Sequence, residues 1–329
     1  MAVAKPRALV GYIAATVAAF IFGVNGVVIK LLMDGTGIDG FQVTFLRVVG
    51  AAVLMGAVLL IRDPNALRIT RKQIVPLIAM GVIGVAMLQA TYAEAVYLLP
   101  IGIALLLEYT AVLFVALIAH FFFREHVKSR IWVSIAAVLI GLATVAEVWN
   151  STLNVEGVLW ALGASASLTT YFVLGERQTG VRHPMAVGFW GMAVASIFWA
   201  LFSGWWNVDP AIFTRIVPFS ADTDGIAGPA WILLVFIVVL GTFTTFTLGL
   251  WSISILKATR SGIVATSEVL FAFLAAWLIL GETLNVVQLV GACIVLGGVI
   301  LAQSARDNRA VETDLALDTT EISRPKESR

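Results

Sequence analysis

The sequence predicts an all-α integral membrane protein in which ten transmembrane helices form two inverted five-helix repeats. Three observations predict it. Of the 329 residues, 60% are hydrophobic and 12% charged, whereas soluble domains run near half apolar and about a quarter charged. Ten long apolar runs, each near the ~20 residues a helix needs to cross the hydrocarbon, follow one another closely. With the amino terminus in the cytoplasm, 18 of the 21 Lys and Arg fall on the cytoplasmic side and 2 outside, the asymmetry of the positive-inside rule.

The runs lie at 9–32, 41–61, 74–98, 102–122, 130–148, 156–175, 184–206, 230–254, 262–280 and 284–303. Lys5 and Arg7 precede the first run, which is longer than the roughly 7–15 residues of a signal-peptide apolar region. Leu99-Pro100 separates the third run from the fourth, and Gly281-Glu282 the ninth from the tenth. Continuous rather than alternating apolarity makes a transmembrane β-barrel a poor alternative. The polar stretch 207–228 is the one sizeable outer loop and has room for a short surface helix. Residues 1–8 form a cytoplasmic amino terminus, 9–148 the first repeat, 156–303 the second, and 304–329 a disordered cytoplasmic tail without aromatic residues. Both termini are cytoplasmic and the protein belongs in the cell membrane, with the lipid bilayer as its partner.

Several function classes drop out. A net charge of +1 lacks the concentrated basic face of a nucleic-acid binder. The single cysteine, Cys293, allows neither an internal disulfide nor a cysteine-rich zinc site. Gly35-Thr-Gly37-Ile-Asp-Gly40 fits a dinucleotide fingerprint but follows a membrane helix instead of a strand. No phosphate-loop lysine occurs, so nucleotide drive is unsupported, and no cofactor, metal site or catalytic residue is predicted. Asn150-Ser-Thr152 fits a glycosylation acceptor and Arg124-Glu125-His126 no metal motif, while His120 reads as a packed or solvated imidazole.

The repeat is readable in sequence. Shifted by 160 residues, GVIGVAMLQATYAEAVYLLPIGIALLLEY from Gly81 overlies GTFTTFTLGLWSISILKATRSGIVATSEV from Gly241. Gly81 meets Gly241, Gly102 meets Gly262, Ile103 meets Ile263 and Glu108 meets Glu268. Because five is odd, the second half enters the bilayer inverted, as in many secondary transporters.

FGVNGVVIK (22–30), TFLRVVGAAVLMGAVLL (44–60), IGIALLLEYTAVLFVALIAHFFFREHV (101–127) and ATSEVLFAFLAAWLILGETLNVVQLVGACIVLGGVIL (265–301) carry a resemblance. On these stretches the chain resembles the EamA family of the drug/metabolite transporter superfamily over nearly all of residues 8–303. Arg124-Glu125 and Gly281-Glu282, leading into the following helices, are its most diagnostic part. The family often has proline after the ninth-helix glutamate, where this chain has Val269, and Tyr109 in the first half. The resemblance implies a ten-helix secondary transporter, commonly an exporter of amino acids or similar metabolites.

Charged side chains inside the bilayer are costly and mark function by default. Arg47 lies roughly 9 Å inside the outer end of helix 2, Glu108 at comparable depth in helix 4, and Glu94 shallower in helix 3. Asn25 lies about a dozen ångströms inside helix 1, and Glu268 near the cytoplasmic third of helix 9. Arg47 is expected to pair with Glu108 or Glu94, either as a structural lock or to meet a substrate carboxylate. Carboxylates then remain in excess, which favours a zwitterionic or cationic small-molecule substrate whose amino group meets Glu108 or Glu268. Desolvation of such a glutamate also makes it a plausible proton carrier.

Tyr171, matching Asn25 in the repeat, and Trp251 complete the candidate substrate-binding set of Asn25, Arg47, Glu94, Glu108, Tyr171, Trp251 and Glu268. Thr91, Glu94 and Tyr97 share a face of helix 3, and Thr244, Thr247 and Trp251 a face of helix 8, although threonines also bond their own backbone. Ala15, Ala19 and Gly23 form a small-residue stripe on helix 1, and Trp205 and Trp206 mark a membrane boundary. The reading is a secondary transporter working by alternating access, exporting amino acids or related metabolites. Efflux of cationic drugs is the alternative within the class. A polytopic enzyme acting on a lipid-linked substrate is the rival outside it. The sequence fixes no oligomeric state.

Overall fold

The computed structural model describes residues 4–111, 114, 129–145, 154–220, 226–283 and 285–301. The expectations for His120, Arg124–His126, Asn150–Thr152 and the tail lie outside them. The helices are α1 (Ala4–Thr36), α2 (Gly40–Arg62), α3 (Arg71–Leu98), α4 (Ile101–Glu108) and α5 (Ser129–Val145). They continue with α6 (Val155–Thr179), α7 (Pro184–Phe202), α8 (Trp231–Leu256), α9 (Arg260–Leu280) and α10 (Val286–Leu301). Seven of them, α1 to α3 and α6 to α9, are long and apolar enough to cross a membrane.

Local chemistry sets the boundaries. Gly37, at φ +77°, lets the chain turn out of α1, and Asp39 with Gln42 forms a capping box that starts α2. Asn154 caps α6 by accepting from the amides of Glu156 and Gly157. Gly281, at φ +66°, ends α9 in the left-handed conformation that glycine tolerates. Arg182 donates to the Arg68 carbonyl and to Gln73 Oε1, tying the α6–α7 turn to the α2–α3 loop and the first turn of α3.

The 207–228 loop carries a short helix of the 3₁₀ kind. 3₁₀ turns at Trp205–Asn207 and Pro210–Thr214 lead into a two-stranded antiparallel ribbon. Its strands are β1 (Ile216–Pro218) and β2 (Ala227–Pro229), with Val217 opposite Gly228. Proline and glycine punctuation in this stretch defeats helical propagation. Trp205 is exposed and stacks on Phe45 of α2, with ring centroids 5.5 Å apart.

Helix contacts follow a reciprocal pattern. α1 packs on α8 and α9, while α6 packs on α3 and α4. Gly11 abuts Ile255 and Leu256, and Asn25 abuts Gly241, so α1 and α8 run antiparallel. Likewise Gly84 abuts Tyr171 and Gly157 abuts Leu98 and Leu99, so α3 and α6 run antiparallel. α2 pairs antiparallel with α7, with Phe41 against Trp199 and Met55 against Gly188. α5 pairs antiparallel with α10 through Gly141 against Val295 and Gly298 against Val138. Small residues permit these close approaches, which packing in lipid requires because no hydrophobic effect drives helices together there.

α3 and α8 each contain a π-helical stretch, Met80–Met87 and Phe236–Thr244. In α8 the wider winding brings the Thr242 and Thr244 hydroxyls onto the carbonyls five residues back, Ile237 and Val239, each at 2.8 Å. Such bulges concentrate at functional sites.

Candidate functional site

A partly open cavity of about 90 Å³ lies among α1, α3, α4, α6, α8 and α9. Ala15, Ala18, Ala19 and Phe22 line it from α1, and Phe246, Gly249 and Ile253 from α8. The alanine stripe of helix 1 is therefore a cavity wall, and only its continuation at Gly23 is pure packing against Glu268 and Ala272. The walls are mostly apolar and aromatic, with Phe246 meeting Tyr171 edge-on at 5.5 Å.

Glu108 and Glu268 both line this one space, and both are nearly fully buried. Tyr109 joins them, donating its hydroxyl to Glu268 Oε2 at 2.8 Å, with the Ala265 carbonyl also 2.8 Å away. The expectation set Glu108 toward the outer side and Glu268 toward the cytoplasm; both face one space, and a hydrogen bond links the residue beside one acid to the other. The reason is local. Glu108 is the last residue of α4 before a turn at Tyr109–Thr110, and Glu268 follows a turn at Thr266 within α9. Interrupted helices carry the ligands of many transporters.

Most other hydroxyls on the walls are committed. Thr245 donates to the Gly241 carbonyl at 2.6 Å, and Ser261 pairs with Ser252 at 2.9 Å across the reversal between α8 and α9. The two carboxylates are therefore the groups of consequence facing the space. No lysine or arginine lines it among the described residues.

Arg47 departs from expectation. It is completely buried, yet forms no ion pair with Glu108 or Glu94 among the described residues. Its Nε donates to Thr242 Oγ1 at 3.1 Å, a partner that the π-helical winding of α8 presents and that no spacing rule exposed. Glu94 is half-buried and accepts from the Gly40 amide at 3.0 Å, serving the positive amino-terminal end of α2. That local partner wins over a distant guanidinium, and Glu94 is not in the cavity wall.

Tyr171 lines the cavity and Asn25 does not. Asn25 is buried against Gly241, beyond Phe22. Trp251 is 44% exposed and does not line this cavity, which takes the face of α8 bearing Phe246, Gly249 and Ile253. Thr91 and Thr244 bond their own helix carbonyls, and Tyr97 is exposed.

Sequence reasoning missed a pair farther along α1. Lys30 Nζ lies 2.8 Å from Glu282 Oε1. Glu282 Oε2 accepts from the Ile101 amide at 3.2 Å, at the start of α4. One side chain thus ties α1, α4 and the end of α9 together, on the far side of Asn25 from the cavity. The available signal was Glu282 itself, an acid just past a membrane helix with a lone lysine at the same face.

Membrane-length helices around an acid-bearing cavity are the features of a small-solute carrier. The EamA-like transporter family matches residues 9–146 and again 155–303. The chain belongs to that family. It is 27% identical over 280 residues to the threonine/homoserine exporter RhtA of Escherichia coli K12, covering 83% of each chain. With the Salmonella typhimurium LT2 protein of the same name the identity is 26% over 272 residues, covering 81% of this chain and 82% of the relative. An uncharacterized transporter of Archaeoglobus fulgidus is 24% identical over 289 residues, covering 85% and 96%. The fold is like that of a solved crystal structure at TM-score 0.56 and 19% identity, covering 92% of this chain and 99% of that one.

Proposed function

We propose that the protein is a secondary transporter that exports amino acids or closely related small metabolites by alternating access. The observation that carries this reading is the cavity, with one acid contributed by each half of the chain, Glu108 and Glu268, joined through Tyr109. Two carboxylates in an apolar space without a resident cation are the chemical complement of an ammonium group. Membership of a transporter family, and relatives named as threonine/homoserine exporters, support the direction and the substrate class.

Ten spans as two inverted halves is the architecture of this reading. Its support is the reciprocity of contacts, α1 with α8 and α9 against α6 with α3 and α4. Equivalent helices α2 and α7, and α5 and α10, meet antiparallel, which a two-fold axis along the helices would not produce. The double match of the family, 9–146 and 155–303, supports it further. Both termini lie in the cytoplasm, so the cavity, beside the amino-terminal half of α1, faces inward and the Lys30–Glu282 pair closes the outer side. Protons or the solute's own gradient supply the drive, with Glu108 and Glu268 as proton carriers.

Counterflow in proteoliposomes tests this. Vesicles loaded with unlabelled L-threonine or L-homoserine are expected to accumulate the labelled solute transiently, as a carrier does. Uptake that matches protein-free vesicles for every amino acid tried would refute the reading. Chemical conversion of a lipid-linked substrate instead would move the protein into the enzyme class.

A further inference from the structure

Between the cavity and the Lys30–Glu282 pair lies a second polar cluster, fully enclosed in protein. Arg47 and Asn25 are both 0% exposed. Both terminal nitrogens of Arg47, both amide atoms of Asn25, and the hydroxyls of Thr44 and Tyr92 have no hydrogen-bond partner among the described residues. These groups belong to one neighbourhood. Thr44 and Arg47 are three residues apart on α2 and share a face. Arg47 Nε is held by Thr242, the neighbour of Gly241, and a side chain at Gly241 would collide with Asn25. Tyr92 and Glu108 are within Coulombic reach of Arg47, and the Tyr92 hydroxyl reaches Gly26, next to Asn25.

The cluster is unbalanced in a definite direction. Arg47 and Asn25 offer six free N–H groups by their chemistry, and two hydroxyls can add to them. The free acceptors in view among the described residues are Asn25 Oδ1, Glu108 Oε2, Glu268 Oε1 and the oxygens of the same two hydroxyls, fewer atoms than the N–H donors that the guanidinium and the amide present. An enclosed set of donors around a guanidinium costs several kilocalories per mole unless something accepts from it. The complement is a planar oxyanion, which a guanidinium takes with two parallel hydrogen bonds.

We propose that Arg47, Asn25, Thr44 and Tyr92 form an occluded carboxylate pocket that takes the α-carboxylate of the transported solute. The inference rests on the transporter reading above and specifies its substrate as a zwitterion. Glu108 is the shared wall: it faces the cavity on one side and the Arg47 charge on the other. An α-amino acid spans the two, its ammonium on the cavity acids and its carboxylate on Arg47. The pocket opens when α1 and α8 part along the Asn25–Gly241 contact. Holding the guanidinium on Thr242 keeps Arg47 from collapsing onto Glu108, so the two opposite charges stay separate and both remain able to bind.

The test compares counterflow of L-threonine with that of its carboxamide, which keeps the amine and removes the carboxylate charge. Wild-type protein is expected to show a KM for the acid at least about tenfold below that for the carboxamide. Arg47→Gln is expected to raise the KM for threonine to that of the carboxamide while leaving the carboxamide's own KM near its wild-type value. Asn25→Asp, equal in size but negative, is expected to remove the preference too, and Arg47→Lys to restore part of it. Equal handling of acid and carboxamide by the wild type, or a preference that survives both Arg47→Gln and Asn25→Asp, would overturn the pocket while leaving the transporter intact. Transport of neither solute, nor of any other amino acid tried, would overturn both. Should Arg47→Gln fold poorly, Thr44→Val and Tyr92→Phe, read for the same acid-over-carboxamide preference, carry the test, and an unchanged preference in both would overturn the pocket.

Discussion

Glu268→Gln is expected to lower amino-acid counterflow at least about thirtyfold at matched expression, without loss of folded protein. The substitution keeps the volume and removes the charge. Glu268 is nearly buried, faces the cavity and holds the Tyr109 hydroxyl at 2.8 Å. Truncating one member of a desolvated charge contact costs about 2–5 kcal/mol, and about 1.4 kcal/mol is a factor of ten. Glu108→Gln is expected to behave alike, because both acids line one space. Tyr109→Phe breaks only a hydrogen bond to a charged group and is expected to cost about tenfold or more. Flux measured in reconstituted vesicles, with monodispersity on a sizing column as the control, separates loss of function from loss of fold. Wild-type flux and wild-type pH dependence in both glutamine variants would remove the acids from the mechanism.

Gly23→Ala is expected to destabilise the protein by about 1–3 kcal/mol, the usual cost of overpacking. A Cβ at Gly23 would sit 2.9 Å from both the Ala272 amide nitrogen and the Glu268 carbonyl oxygen. Those are backbone atoms of α9 and cannot rotate away, so α1 must move off the helix that carries Glu268. The same exchange at Gly297 of α10, where nothing lies within 4 Å, is expected to be neutral or stabilising by up to about 1 kcal/mol, the helix-propensity gain. Thermal unfolding in detergent, read by loss of the monodisperse species, compares the two. Identical behaviour would mean that the α1–α9 seam is looser than these contacts describe.

What was legible in the sequence followed from long-period signals. Apolar runs located the helices, and the alignment of Glu108 with Glu268 identified the two acids that share a cavity. The asparagine at 25 and arginine at 47 stood out because burial of such groups is expensive. The rest depended on tertiary geometry that no periodicity encodes. π-helical winding in α8 turned Thr242 toward Arg47 and defeated the predicted ion pair. Turns beside Glu108 and Glu268 brought together acids whose helical depths had suggested separation. The rotation of α8 put Trp251 outside and Phe246 inside, a choice that an evenly apolar helix leaves undetermined. Tyr109 was visible only as a departure from the family's proline, and it proved to be the link between the acids.

The most direct measurement is a reversible cross-link across the Lys30–Glu282 contact. In a Cys293→Ser background, Lys30→Cys and Glu282→Cys are joined by a short bifunctional thiol reagent with a reducible spacer, and counterflow is followed before and after reduction. Alternating access predicts that the bridge stops flux, because α1 can no longer separate from the end of α9, and that reduction restores it. Undiminished flux through quantitatively bridged protein would contradict the account, since the solute would then be crossing by a route that never opens there.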